Sequence, residues 1–142
     1  MPKLLVFAVC EKVLIDENKN ISLIVLLQNV SASSPDKSEI PRNAITPKEW
    51  TVFAMWQPAA EDYGREFNQI IQILWPDGSE FKKHALTFHF ERDKIHHTRM
   101  TVIGFPVGQA GKLTLNMWLE ADSRPVGESH SYVIQVTHDL AG

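Results

Sequence analysis

The sequence predicts an all-β domain, a two-sheet antiparallel β-sandwich of about eight strands, immunoglobulin-like or jelly-roll-like in plan. Three observations carry this expectation. Short extended segments rich in β-branched and aromatic residues recur between turn signals. Side chains in the second half alternate apolar and polar with the period of a strand. The one helical signal, a capping box with proline at the first helical position in Thr46-Pro47-Lys48-Glu49, runs straight into a β-rich stretch that limits it to a single turn.

The first strand is expected over residues 4–15, ending at the turn sequence Asp16-Glu17-Asn18-Lys19-Asn20. The second covers residues 21–30. Residues 31–49 hold Pro35, Pro41 and Pro47 and read as a long loop or crossover. A third strand follows over 50–57 and a fourth over 66–75, closed by Pro76-Asp77-Gly78. The fifth, over 81–91, and the sixth, over 97–103, suggest a hairpin about Lys94. A loop over 104–111 leads to the seventh strand, 112–120, and the eighth spans 131–138. No repeat or linker divides the chain, so residues 1–142 read as one domain.

The two halves differ in pattern. Leu113, Leu115, Met117 and Leu119 oppose Lys112, Thr114, Asn116 and Glu120, with Trp118 an apolar exception on the polar side. That is a sheet with one wet face. In the first strand, Leu5, Phe7 and Val9 fill one face while Leu4, Val6, Ala8 and Cys10 fill the other. The second strand sets Leu23 and Val25 against Ile24 and Leu26, and the fourth sets Ile71 and Ile73 against Ile70 and Leu74. A strand of a two-layer sandwich has only one inward face. Burying each large apolar side chain is worth roughly 1.5–3 kcal/mol, so the second face calls for a cover. The 31–49 segment offers only Ile40, Ala44 and Ile45 for that role. A second copy of the chain or another protein is the better cover, and two-fold dimers are the commonest oligomers. The expected contact residues are Leu4, Val6, Ile24, Leu26, Ile70, Leu74 and Trp118.

Composition narrows the classes. The chain has 142 residues, 44% hydrophobic and 22% charged, which is an ordinary globular balance. A net charge of −3 and no long basic cluster argue against a nucleic-acid partner. One cysteine, Cys10, excludes an internal disulfide and reads as a buried small hydrophobe. The apolar run 4–10 is too short for a signal segment and no run approaches membrane-spanning length, so the expectation is a cytoplasmic protein without membrane contact. The sequons at Asn20 and Asn29 have no consequence without secretion.

Sites of chemistry are sparse. The hairpin about Lys94 would place Glu91 near His97 and His89 near Arg99, a polar pairing that falls short of a four-ligand zinc site. Asp16, Glu17, Glu61, Asp62, Asp93 and Asp122 would share one end of the sandwich, but turns favour aspartate for local hydrogen-bonding reasons and basic residues lie beside them. Trp50, Trp56, Trp75 and Trp118 raise a sugar-stacking surface, Trp118 being the best placed for exposure. No phosphate loop, dinucleotide fingerprint, nucleophile elbow or His-Glu-x-x-His motif is present, and no cofactor, metal or catalytic residue is expected.

The opening Cys10-Glu11-Lys12-Val13-Leu14-Ile15-Asp16, the segment Asn20-Ile21-Ser22-Leu23-Ile24, the Pro76-Asp77-Gly78 turn and the late Gly111 with Val126-Gly127-Glu128 together resemble an uncharacterised family of small bacterial β-sandwich proteins. The resemblance spans most of the chain, with residues 31–49 as a departure. It implies a bacterial origin and a β-sandwich, and it imports no activity. The expectation is a non-enzymatic module acting through protein contact, as an accessory or assembly component. The alternatives are a small-ligand or carbohydrate module using tryptophan, and a metal-dependent or hydrolytic enzyme.

Overall fold

β-Branched and aromatic residues hold the backbone extended over most of its length. In the computed structural model, which describes residues 1–34 and 39–139, the described residues form nine strands. These are β1 (Lys3–Ile15), β2 (Ile21–Leu26), β3 (Asn29–Ser33), β4 (Ile45–Gln57), β5 (Glu66–Leu74), β6 (Glu80–His89), β7 (His96–Pro106), β8 (Gly111–Ala121) and β9 (Arg124–Asp139). A 3-10 turn at Ala60–Asp62 joins β4 to β5. The strands form a first sheet in the order β2-β1-β4-β7 and a second, strongly curled sheet in the order β3-β9-β8-β5-β6.

Each sheet turns one face to a common core. Val9, Trp50, Val52 and Val102 come from the first sheet; Phe67, Ile71, Leu115 and Ile134 come from the second. Trp50 satisfies its indole N–H on the carbonyl of Gly104 at 3.0 Å, so the ring is buried without an orphaned donor. No helix among the described residues is long and apolar enough to cross a membrane.

Several expectations need correction. The fold is not purely antiparallel, because β3 runs parallel to β9 from Asn29 opposite Gln135 to Ser33 opposite Asp139. The strand expected over 21–30 is two strands in different sheets. The break falls at Leu27, whose N–H donates to the Val9 carbonyl at 2.8 Å before the chain crosses to the second sheet. That break makes the count nine. The expected 31–49 loop is shorter, since β3 continues to Ser33 and β4 begins at Ile45. Of the residues between, 35–38, with Pro35, lie outside the described residues. The expected helical turn at Thr46 is strand, with a bulge against β7 between Thr46 and Glu49. Pro47 fits there because a bulge asks no ladder N–H of it.

β6 and β7 do not form a hairpin; they are edge strands of opposite sheets. The eighth expected strand is the second half of β9, which starts at Arg124 after a two-residue turn with Asp122 and Ser123 at φ 53° and 62°. In β1, a bulge between Leu4 and Val6 turns Leu4 inward, opposite Trp56, away from the face expected for it with Val6.

Candidate functional site

The Asp16 turn builds the first feature. The Asp16 carboxylate accepts the backbone N–H groups of Asn18 at 2.9 Å and Asn20 at 2.8 Å. These bonds hold the carboxyl below its ordinary range. Lys19 takes the left-handed conformation, φ 67°, that the turn requires. The result is a fixed register in which Ile15 faces Ile21, Val13 faces Leu23, Lys12 faces Ile24 and Cys10 faces Leu26.

β4 pairs with β1 only between Lys3 and Cys10, so among the described residues β1 beyond Cys10 has β2 as its sole ladder partner. The distal part is therefore a two-stranded ribbon with no ladder to β4 among the described residues. Apolar side chains occupy both of its sides. Val13, Ile15, Ile21 and Leu23 lie on one side, outside the hydrophobic core. On the other are Leu14, Ile24 and Leu26, exposed by 53%, 38% and 51%. Val25, 54% exposed, sits at φ 57°, an outlier for a β-branched residue, where the register skips a pair.

β2 is an edge strand that contains no charge and no proline, the usual protections of an edge. At the base of the ribbon the ion pair of Lys48 with Glu11, 2.9 Å, ties β4 to β1 and leaves β2 free of it. Beside β2 runs an open groove of roughly 760 Å³ between Val25–Ser31 and Thr46–Lys48. The buried Thr46 hydroxyl on that groove has no hydrogen-bond partner among the described residues.

The expected contact residues fall into three places. Val6, Ile24 and Leu26 share the outer face of the first sheet, Val6 being half-buried. Leu4 packs against the core. Ile70, Leu74 and Trp118 lie on the outer face of the second sheet, on the far side of the molecule. There Ile70 faces Trp118 across the ladder and is only 6% exposed. The Trp118 indole N–H is taken by Glu120 at 3.0 Å, and Lys83 lies over its ring at 5.6 Å. Reading the hairpin register outward from the five-residue turn would have added Leu14 to this set, and Val25 carried no sequence signal of its unusual backbone.

The chemical constellations come apart. His89 lies 3.6 Å from Glu66 on β5, and Glu91 pairs with Lys94 at 2.8 Å, because β6 and β7 diverge. Asp16 serves its own turn, and Asp93 accepts the Tyr63 hydroxyl at 3.2 Å. Among the described residues no three of His, Cys, Asp and Glu converge as a metal ion would need. Cys10 is buried, and burial pushes its thiol up, away from the thiolate. No protein-family model and no curated protein matches the chain.

Proposed function

We propose that the protein is a non-enzymatic contact module, and that its contact element is the β1–β2 hairpin, which joins edge to edge with the same hairpin of a second copy. The observation that carries this reading is the ribbon beyond Cys10, which carries apolar side chains on both sides, mixed on one with Lys12 and Ser22, lies outside the core and is bordered by an uncharged open edge. An antiparallel β2–β2 pairing about a two-fold axis satisfies both copies with one surface. It would satisfy the free backbone groups of the edge and cover Leu14, Ile24 and Leu26. Each half-exposed side chain has about 1 kcal/mol still to gain from burial.

The strand order supports an immunoglobulin-like arrangement over a jelly roll. β1, β4 and β7 stand for one sheet, and β3, β9, β8, β5 and β6 for the other, with β2 added outside. The leading strands are shared between both sheets, and the last strand takes a parallel partner from among them.

Light scattering across two decades of concentration tests the reading. The expected mass rises towards twice the 16.1 kDa of the chain. Ile24→Lys abolishes that rise, whereas Ile103→Lys, at an exposed site on β7 at the other edge of the sheet, leaves it intact. A wild-type chain that stays monomeric throughout, or an Ile24→Lys variant that still doubles, overturns it.

A further inference from the structure

β6 is an edge strand of the second sheet, and its one ladder among the described residues is with β5. No backbone bond outside that ladder involves residues 81–88 among the described residues. Residues 83–87 are exposed in succession, so both sides of the strand and its free edge meet solvent. An open edge is a template for a further strand, and the charges on it decide which. Consecutive residues of a strand point to opposite sides of the sheet. The register sets Lys83 opposite Gln72 on the outer side and Lys82 opposite Ile73 on the core side. Each ammonium rests over a ring, Lys82 over Phe81 at 5.4 Å and Lys83 over Trp118 at 5.6 Å. Neither lysine has an ion pair among the described residues. Glu80 accepts from Gln72 and Glu120 from the Trp118 indole instead. Residues 81–88 include no carboxylate. Further along β6, on the same side as Lys82, Leu86 is 42% exposed. It forms one wall of a cleft of roughly 140 Å³ towards β7, with Ile71 and Met100 on other walls.

We infer that the open edge of β6 takes an extended acidic segment of another protein as a sixth strand of the second sheet, with carboxylates at Lys82 and Lys83 and one apolar side chain beside Leu86. Strand addition supplies the free backbone groups of the edge with partners, and side-chain sites at fixed intervals select the sequence. The two unpaired ammoniums set the charge of the segment. They also set β6 apart from the uncharged β2 edge, because a second copy of β6 would bring the same cations to the ladder, where like charges are unfavourable. The cleft sets the apolar residue, since a cavity of about 150 Å³ holds a group as large as a benzene ring. Antiparallel pairing is the more stable kind. In that direction the residues opposite Leu86 through Lys82 read apolar, neutral, neutral, acidic, acidic. A polyanion without a peptide backbone would meet the lysines and leave the edge unpaired.

The probe is an end-capped, dye-labelled peptide containing Leu-Thr-Thr-Glu-Glu, followed by fluorescence anisotropy and by the amide spectrum of ¹⁵N-labelled protein. The peptide is expected to bind at low salt, to weaken as salt is raised, and to shift the amide resonances of residues 82–86. Replacing both glutamates of the peptide by glutamine, or Lys82 and Lys83 by Glu in the protein, is expected to weaken binding by about tenfold or more. Should the doubly substituted protein fail to fold, the peptide changes decide alone. Methylating the backbone nitrogens of alternate peptide residues tests strand addition: one of the two alternating sets abolishes binding and the other leaves it intact. Ile24→Lys is expected to bind the peptide as the wild type does, which keeps this edge distinct from pairing through β2. A glutamine peptide that binds equally well, methylation without effect in either set, equal affinity for a single-stranded oligonucleotide, or loss of binding in Ile24→Lys overturns the inference.

Discussion

Tyr132 shows how one hydroxyl joins two sheets. Its O–H donates to the carbonyl of Leu27 at 2.8 Å, where the chain crosses from β2 to β3. Tyr132→Phe leaves that carbonyl without its partner and is expected to lower stability by about 1–2 kcal/mol, read from the urea midpoint. Tyr132 alternates in step with Ile134 and Val136, but its acceptor lies 105 residues away, beyond the reach of any local pattern. Gly108 works through absence: a Cβ there would lie 2.2 Å from the Arg42 carbonyl oxygen and 2.5 Å from that of Pro41. Gly108→Ala is expected to cost about 1–3 kcal/mol in a thermal melt as the backbone gives way. His96 stacks on Phe88 with centroids 4.3 Å apart. Burial first, then neighbouring His97, lowers its pKa from the ordinary 6.5. The unfolded chain therefore takes up this proton more readily than the folded one. The His96 contribution to stability is whole above pH 6.5 and falls as the pH drops from 6.5 towards the folded value. Melting temperatures at pH 7.5 and 5.5 should differ less in His96→Phe than in the wild type.

At the scale of elements, local chemistry and long-range pairing separate. The Asp16 and Pro76-Asp77-Gly78-Ser79 turns were legible because their side chains bond their own backbone. Asp77 accepts the Ser79 N–H at 2.8 Å and its hydroxyl at 2.6 Å, and these bonds with Arg42 and Gln109 hold its carboxyl down to about 2. The split of β2 from β3 was not legible, since no glycine or proline marks Leu27 and Gln28. The partners of β6 and β7 were misread for a related reason. Consecutive strands usually pair, and nothing within residues 90–95 says that the chain is changing sheets. Val25 is the clearest strain in an element. At φ 57° a glycine would sit without the clash that the valine branch makes, and with half the side chain in solvent little burial is lost. Val25→Gly is expected to stabilise the chain by up to about 1 kcal/mol in urea unfolding, the relief exceeding the entropy cost of glycine.

The whole molecule combines a body with a closed core and a ribbon outside it. In the sequence, the two-faced apolar pattern of the leading strands calls for a cover but does not mark where the ribbon leaves the body. The bulge that turned Leu4 inward, and the ladder partner that hides Ile70 under Trp118, carried no signal, because both depend on register between strands far apart in the chain. Amide exchange should separate the two regions. The β4 ladder around Val52 and Ala54 opens only with global unfolding, whereas the ribbon of a monomer opens by itself. If copies pair through β2, protection of Ile24 and Leu26 rises with protein concentration while that of Val52 does not. Protection that is independent of concentration at all four positions would count against the pairing.

The parallel partnership of β3 with β9 has a consequence for how the protein is made. Ser31 bonds Thr137 across a sequence separation of 106 residues. At about 5–20 residues per second, a ribosome takes roughly 5–20 s to supply the partner that seats this segment. During that interval the greasy leading ribbon waits on a nascent chain with half its anchor missing, so the window for chaperone capture, or for premature pairing between neighbours on one message, is set by the position of the last strand.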